Sequence, residues 1–316
     1  MRAVRYHEFG APEVLRVEQV DDPEPGEGDL LVRAVATGVN YFEVQVRAGV
    51  VPDPLGAPLP HTPGIEVAGT VAAVGPGVST DRIGDRVVGT VASGSYAELV
   101  RIPAAAAIPL DARLDEHQAL ALLGQGATAM GVIEAADLGS DDTVLVEAAG
   151  GGIGTLLVQL AKRAGARVVA GASGAAKREV AADLGADATI DYTRPGWTDE
   201  VGPVSVVLET VGGQTARDAY NLLTAPRARM IVFGAASGVP VEIASDQLLR
   251  IGAPLIPFSL GYRPQRWPEL ARRAEELTAC GELTPVIGTV LPLNEAAAAH
   301  RAFENRTTIG KTILTV

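Results

Sequence analysis

The residues in this 316-residue chain best suited to chemistry are Ala148, Gly151 and Gly154, in the spacing Ala148-x-x-Gly151-x-x-Gly154. Small residues at that spacing let a chain turn sharply and let a pyrophosphate approach the backbone. Before the turn stands Thr143-Val-Leu-Val146, an apolar run that reads as a buried parallel strand. After it, Ile153, Leu156, Leu157, Leu160, Ala161 and Ala164 recur along one face of a helix. The start of such a helix offers N–H groups and a positive dipole end to phosphates. Strand, glycine turn and helix are together the context a dinucleotide site requires. The competing reading is chance, because the chain holds 36 glycines.

Other chemistry is harder to find. The sequence shows no Ser-His-Asp arrangement, and no pair of carboxylates announces acid–base catalysis. The histidines at 7, 61, 117 and 300 sit singly and far apart, and most read as ordinary surface or turn residues. Cys280 is the lone cysteine, which excludes an internal disulfide and any multi-cysteine metal site. An NAD site places an acid about twenty residues beyond the glycines, to hold the ribose 2′-OH. Here that place reads Gly171-Ala-Ser-Gly-Ala-Ala-Lys177 and carries no acid.

A net charge of −12 argues against nucleic acid or an anionic membrane surface as partner. No apolar run is expected to reach the ~20 residues of a membrane span, and the N-terminus lacks an apolar signal core. The expectation is therefore a cytoplasmic protein with a small-molecule partner.

The elements that must position these residues fall into two styles. Residues 1–110 are strand-rich and broken by Gly and Pro, with strands expected near 1–7, 15–20, 29–36, 67–74 and 86–91. That pattern indicates a barrel or partly open sheet. Residues 39–48 could form a short helix, and 50–63, with five prolines, a surface loop. From about residue 119 the rhythm changes. A long helix over 120–136, interrupted at Gly124 and Gly126, precedes alternating strands and helices of βαβ length. Residues 253–260 read as an edge strand, because prolines are tolerated there. The tail repeats strand, helix and strand.

Taken in order, several segments resemble the medium-chain dehydrogenase/reductase superfamily, in its zinc-free quinone oxidoreductase branch. They include Gly38-Val-Asn40, Pro63-Gly-Ile-Glu-Val-Ala-Gly69, Val74-Gly-Pro-Gly77, Gly84-Asp-Arg-Val87 and Gly94-Ser-Tyr-Ala-Glu-Leu-Val100. Gly126-Ala-Thr-Ala129, the glycine turn, Glu209-Thr-Val-Gly-Gly213, Phe233-Gly-Ala235 and Ile309-Gly-Lys311 follow. The resemblance runs from end to end. It implies an α/β fold: a Rossmann doubly wound parallel sheet at 121–257, plus a GroES-like partial β-barrel catalytic domain formed by 1–120 and 258–316. It also implies a cofactor in the cleft between them, hydride transfer, and a homodimer through the last Rossmann strand near 253–258.

The same resemblance implies the site. Ser173, Lys177 and Tyr192 match the branch's 2′-phosphate positions, where a hydroxyl and an ammonium suit a phosphate dianion, so NADPH is expected. The alternative for Lys177 is a solvated helix face. Gly151, Gly152, Ile153 and Gly154 would carry the pyrophosphate. Thr128, Val211, Gly234 and Ala235 match further cofactor positions, as do Phe258, Ser259, Leu260 and Lys311. Asn40 matches a position facing the nicotinamide or substrate, and Tyr41 is a candidate proton donor that could equally be a packed ring. Val51 and Ile65 would line the substrate side. Zinc-bearing relatives place a Cys and a His where this chain has Asn40 and Ile65, leaving only Glu66, so no metal is expected. The implied function is an NADPH-dependent, zinc-independent reductase of quinones or α,β-unsaturated carbonyls. A pathway-specific enoyl or ketone reductase, a non-redox cyclase, or a nucleotide-binding protein without turnover are the alternatives.

Overall fold

The computed structural model describes residues 1–51, 58–224 and 226–316. The chain divides into two compact units, one of residues 1–123 and 287–316, the other of residues 124–286.

In chain order, β1 (Arg2–Arg5) and β2 (Arg16–Gln19) form an antiparallel pair. Then come β3 (Asp29–Val39), α1 (Tyr41–Arg47), β4 (Glu66–Val74), β5 (Arg86–Thr90), β6 (Leu99–Pro103), β7 (Ala107–Pro109) and α2 (Glu116–Ala121). A π-helical segment at Leu122–Gly126 continues α2 into α3 (Ala127–Ala136). Next are β8 (Thr143–Val146), α4 (Gly152–Arg163), β9 (Arg167–Gly171), α5 (Ala175–Asp183), β10 (Ala188–Ile190), α6 (Trp197–Val201) and β11 (Val206–Glu209). They are followed by α7 (Gly213–Asn221), β12 (Arg229–Val232), α8 (Ser245–Ile251), β13 (Leu255–Pro257) and α9 (Trp267–Ala279). The chain ends with β14 (Ile287–Pro292), α10 (Ala296–Glu304) and β15 (Lys311–Thr315).

In the first unit the sheet order is β14-β15-β3-β4-β5-β7, with β6 also paired to β3. Alternation along β3 points Leu30, Val32 and Ala34 inward, where they meet Val67, Val87, Val100 and Ile102. The C-terminal half of β3 pairs antiparallel with β15, Thr312 opposite Val39 and Ile313 opposite Gly38. That register carries Lys311 alongside Asn40, although 270 positions of chain separate them.

In the second unit the sheet order is β10-β9-β8-β11-β12-β13, every pair parallel. This is the doubly wound order, and its direction of winding reverses between β8 and β11. The central strands are apolar and buried along their length, as Val144-Leu-Val146 and Val206-Val-Leu208 show, the pattern of a parallel sheet covered on both faces. The expected edge strand is present, but it is only the three residues of β13.

Two expectations change. Residues 258–286 belong to the second unit, whereas the sequence placed them with residues 1–120. The cause is side-chain pairing and packing: α9 lies on α3, and Glu134 of α3 pairs with Arg266 at 2.9 Å and also with Arg273. The helical run 116–136 is also long and apolar enough to cross a membrane by length and composition, where no such run was expected. Of its most apolar stretch 67% is buried inside the fold, which is how a core helix behaves. Gly124 and Gly126, read as interruptions, stand in the π-helical segment. Of the proline-rich 50–63 loop, residues 52–57 lie outside the described residues.

Candidate active site

In the second unit, β8 leads into the glycine turn and α4 begins at Gly152. Ala148 has φ 48°, a left-handed conformation that usually falls to glycine. The N–H groups of Gly152, Ile153 and Gly154 belong to the first turn of α4, so the helix supplies them with no internal acceptor. A glycine turn with a helix N-terminus beside it fits a pyrophosphate. Gly154 packs so closely on the turn that a Cβ there would sit 2.2 Å from the carbonyl oxygen of Ala148.

Of the three residues matched to a 2′-phosphate, Lys177 lies against this turn, and Ser173 and Tyr192 lie near the end of β9. Lys177 of α5 packs its stem against Gly150, where an added Cβ would lie 2.6 Å from the lysine Cβ. Tyr192 lies over Gly171, the last residue of β9, its Cδ1 3.0 Å from an added Cβ. Ser173 follows two residues after β9 ends and is half-buried, as are Lys177 and Tyr192. Val211 is buried after β11, and its N–H donates to Glu147 Oε2 at 3.2 Å. Gly234 and Ala235 are half-buried, with Gly234 against Thr210. Thr128 donates its hydroxyl to the Gly124 carbonyl at 2.8 Å. Phe258 and Leu260 are buried, the Phe258 ring against Gly131, and Ser259 is exposed.

In the first unit a buried polar cluster surrounds Asn40. Asn40 caps the start of α1, and its N–H donates to Glu43 Oε2 at 3.0 Å. Lys311 Nζ donates to Asn40 Oδ1 at 3.0 Å and to Glu66 Oε2 at 2.5 Å. Lys311 is 1% exposed and Glu66 also 1%, so this ion pair is fully desolvated. Glu43 accepts three more bonds: from Asn40 Nδ2 at 3.3 Å, the Ile65 N–H at 3.0 Å and the Tyr96 hydroxyl at 2.8 Å. Burial raises the Glu43 carboxyl to about 7 against the pull of these donors, with the Glu66 charge adding to the rise. Tyr96 spends its one proton on Glu43, so His300 Nε2, 3.2 Å away, donates to the Tyr96 oxygen. Burial and the nearby Arg47 cation lower His300 to about 3, keeping it neutral. Arg47, itself buried, donates to the Gly10 carbonyl and to Glu304.

Tyr41, the proposed proton donor, stacks on Phe303 with ring centroids 6.4 Å apart. Ile65 borders a small recess with Phe42, Glu43, His61 and Ser93, and Val51 is half-buried after α1. Among the described residues no group of three or more His, Cys, Asp or Glu could hold a metal ion. Glu66 has a protein cation as its partner.

Comparison with known proteins agrees with this fold. The alcohol dehydrogenase GroES-like domain family matches residues 26–112, and the family described as zinc-binding dehydrogenase matches residues 184–314. A probable quinone oxidoreductase of Schizosaccharomyces pombe is 32% identical, over 98% of this chain and 96% of its own. The chain belongs to the medium-chain dehydrogenase/reductase superfamily, in its quinone oxidoreductase branch. A 2-haloacrylate reductase of Burkholderia sp is also 32% identical, over 98% of this chain and 97% of its own. The crystal structure of Escherichia coli quinone oxidoreductase complexed with NADPH superposes with a TM-score of 0.90 at 29% identity, covering both chains completely.

Sequence reasoning missed two features. His61 and His300 are buried rather than surface residues, and His300 belongs to the polar cluster. Paired carboxylates do exist: Glu43 with Glu66, and Glu147 with Glu209. Members of each pair lie more than twenty positions apart, so spacing along the chain carries no sign of them.

Proposed function

We propose that this protein is an NADPH-dependent oxidoreductase that reduces quinones or α,β-unsaturated carbonyls without zinc. The observation that carries the reading is Lys177 packed against Gly150 of the glycine turn, with Tyr192 over Gly171 and no acid at the end of β9. A hydroxyl and an ammonium beside a helix N-terminus favour a 2′-phosphorylated dinucleotide. Bound NADPH supplies the hydride. Gly151, Gly152, Ile153 and Gly154 take the pyrophosphate, and Val211, Gly234 and Ala235 stand at the ends of the neighbouring strands. The crystallised Escherichia coli relative complexed with NADPH and the Burkholderia relative named as a reductase of a conjugated acid support this reading.

In the first unit we assign Asn40 to the substrate side. Its amide is oriented by Lys311 on the oxygen and Glu43 on the nitrogen, a fixed geometry suited to a carbonyl acceptor. The Lys311 ammonium neutralises Glu66, so the cluster needs no metal to balance that charge. Without a Lewis acid, an isolated ketone stays weakly polarised, whereas a conjugated acceptor spreads the incoming charge. The test is single-turnover oxidation of C4-deuterated NADPH with quinones, enones and saturated ketones, with and without chelator. The expected result is a deuterium-sensitive reaction with conjugated acceptors only, unchanged by chelation. Tight NADPH binding with no hydride transfer to any acceptor would sink the reading.

Lys177→Ala is expected to weaken NADPH by about 1.5–3 kcal/mol, the worth of one charge-assisted contact, and to leave NADH affinity unchanged. Fluorescence titration with each cofactor checks it. Equal weakening of both would show that Lys177 is a solvated helix residue.

A further inference from the structure

Glu147 and Glu209 form a buried acidic pair that the reaction described above does not use. Val146 pairs with Leu208 in the β8–β11 register, so the next residues, Glu147 and Glu209, stand opposite each other. In-register neighbours on parallel strands project from the same face, with the strands about 4.8 Å apart. Glu147 is 1% exposed and Glu209 is fully buried. Glu147 Oε2 accepts the N–H groups of Thr210 at 3.4 Å and Val211 at 3.2 Å. Glu209 Oε1 accepts the N–H of Gly212 at the start of α7. The remaining oxygens, Glu147 Oε1 and Glu209 Oε2, are buried without a hydrogen-bond partner among the described residues.

Among the described residues no cation compensates this pair. On the flanking strands the charged groups are Arg167 of β9 and Arg229 of β12, both at the opposite, N-terminal ends. On α4 they are Lys162 and Arg163, in its last turn. On α7, Gln214 engages both Arg217 and Asp218, and on α3 Glu134 is taken by Arg266 and Arg273. Two carboxylates cannot both stay charged side by side in such surroundings. Burial raises both carboxyls above the usual range, and the charge of Glu209 raises Glu147 further. One proton shared by the two orphaned oxygens would satisfy both acceptors and remove one charge.

We propose that Glu147 and Glu209 are positioning residues: they share one proton and thereby hold the Thr210–Val211–Gly212 turn in the shape that receives the cofactor. This rests on the reading of the second unit as an NADPH site. The sign follows directly. The proton-sharing pair is the binding-competent form, so affinity is full below the pH at which that proton leaves and is lost above it. Glutamine at position 147 reproduces the protonated state, since its oxygen accepts from Thr210 and Val211 while its amide donates to Glu209.

The test is the dissociation constant of NADPH, and of NADH in parallel, between about pH 7 and pH 9 for the wild type, Glu147→Gln and Glu209→Gln. NADH lacks the 2′-phosphate, so a profile common to both cofactors belongs to the protein. For the wild type the constant should rise with pH by up to about tenfold per unit above the transition. Glu147→Gln and Glu209→Gln should bind at pH 7 within about threefold of wild type and show a flat profile. Infrared spectra of wild type minus each Gln variant at pH 7 should show a protonated-carboxyl band, a difference in which the shared contribution of Glu43 cancels. A wild-type pH profile retained in Glu147→Gln, or a missing band, would overturn the proposal. If wild type bound neither cofactor at pH 7 while the band was present, the NADPH reading would fail and the pair's positioning role with it.

Discussion

Lys311→Met is expected to destabilise the first unit by about 3–5 kcal/mol, the range found when one partner of a buried ion pair is removed. Methionine fills nearly the same volume, so the loss is electrostatic rather than a cavity. Glu66 is left as a buried carboxylate with no cation, and Asn40 Oδ1 loses its donor. At about 2–4 °C per kcal/mol, the transition of this unit drops by roughly 10 °C. Adding Glu66→Gln to Lys311→Met removes the stranded charge and should restore much of the loss, a double-mutant signature that a packing defect would not give. Calorimetry on the single and double variants measures both. An unchanged transition in Lys311→Met would mean that the ion pair contributes nothing net.

The second unit was legible because its signals are local. The glycine turn, the apolar stripe of α4 and the buried strand before them all lie within 143–164. The first unit was legible only in part. β6 and β7 escaped notice because Arg101 and Pro103 interrupt the first and an alanine run blurs the second. The start of α2 carried a readable signal that was passed over: Asp115 and Gln118 form a capping box, three residues apart as that motif requires. α6 and α8 are too short for periodicity to reveal.

The polar cluster around Asn40 could not have been read from spacing. Glu43, Glu66, Tyr96, His300 and Lys311 come together only because β15 returns to pair with β3 and α10 returns with it. The Glu147–Glu209 pair was within reach. A doubly wound sheet sets its first and fourth strands side by side; Glu147 follows the first directly and Glu209 ends the fourth. What hid it was treating each strand end separately.

Gly154→Ala is expected to have the largest effect on cofactor binding. The added Cβ would lie 2.2 Å from the Ala148 carbonyl oxygen and 2.7 Å from Ala149 Cα. Both are backbone atoms of the turn itself, so no side chain can swing aside to relieve the clash. Overpacking of this kind costs about 1–3 kcal/mol of stability. The larger consequence is geometric. To make room, the turn must move away from the start of α4, and the N–H groups there lose their common aim at the pyrophosphate. Two charge-assisted bonds at about 1.5–3 kcal/mol each amount to a weakening on the order of a hundredfold or more. Because the pyrophosphate is common to both cofactors, NADPH and NADH should weaken together, unlike the selective loss expected for Lys177→Ala. Gly139→Ala is the matched control, since an added Cβ there meets nothing within 4 Å. Titration of both cofactors, with thermal unfolding to confirm a folded protein, decides it. A folded Gly154→Ala variant that binds NADPH as wild type does would place the pyrophosphate somewhere other than the glycine turn.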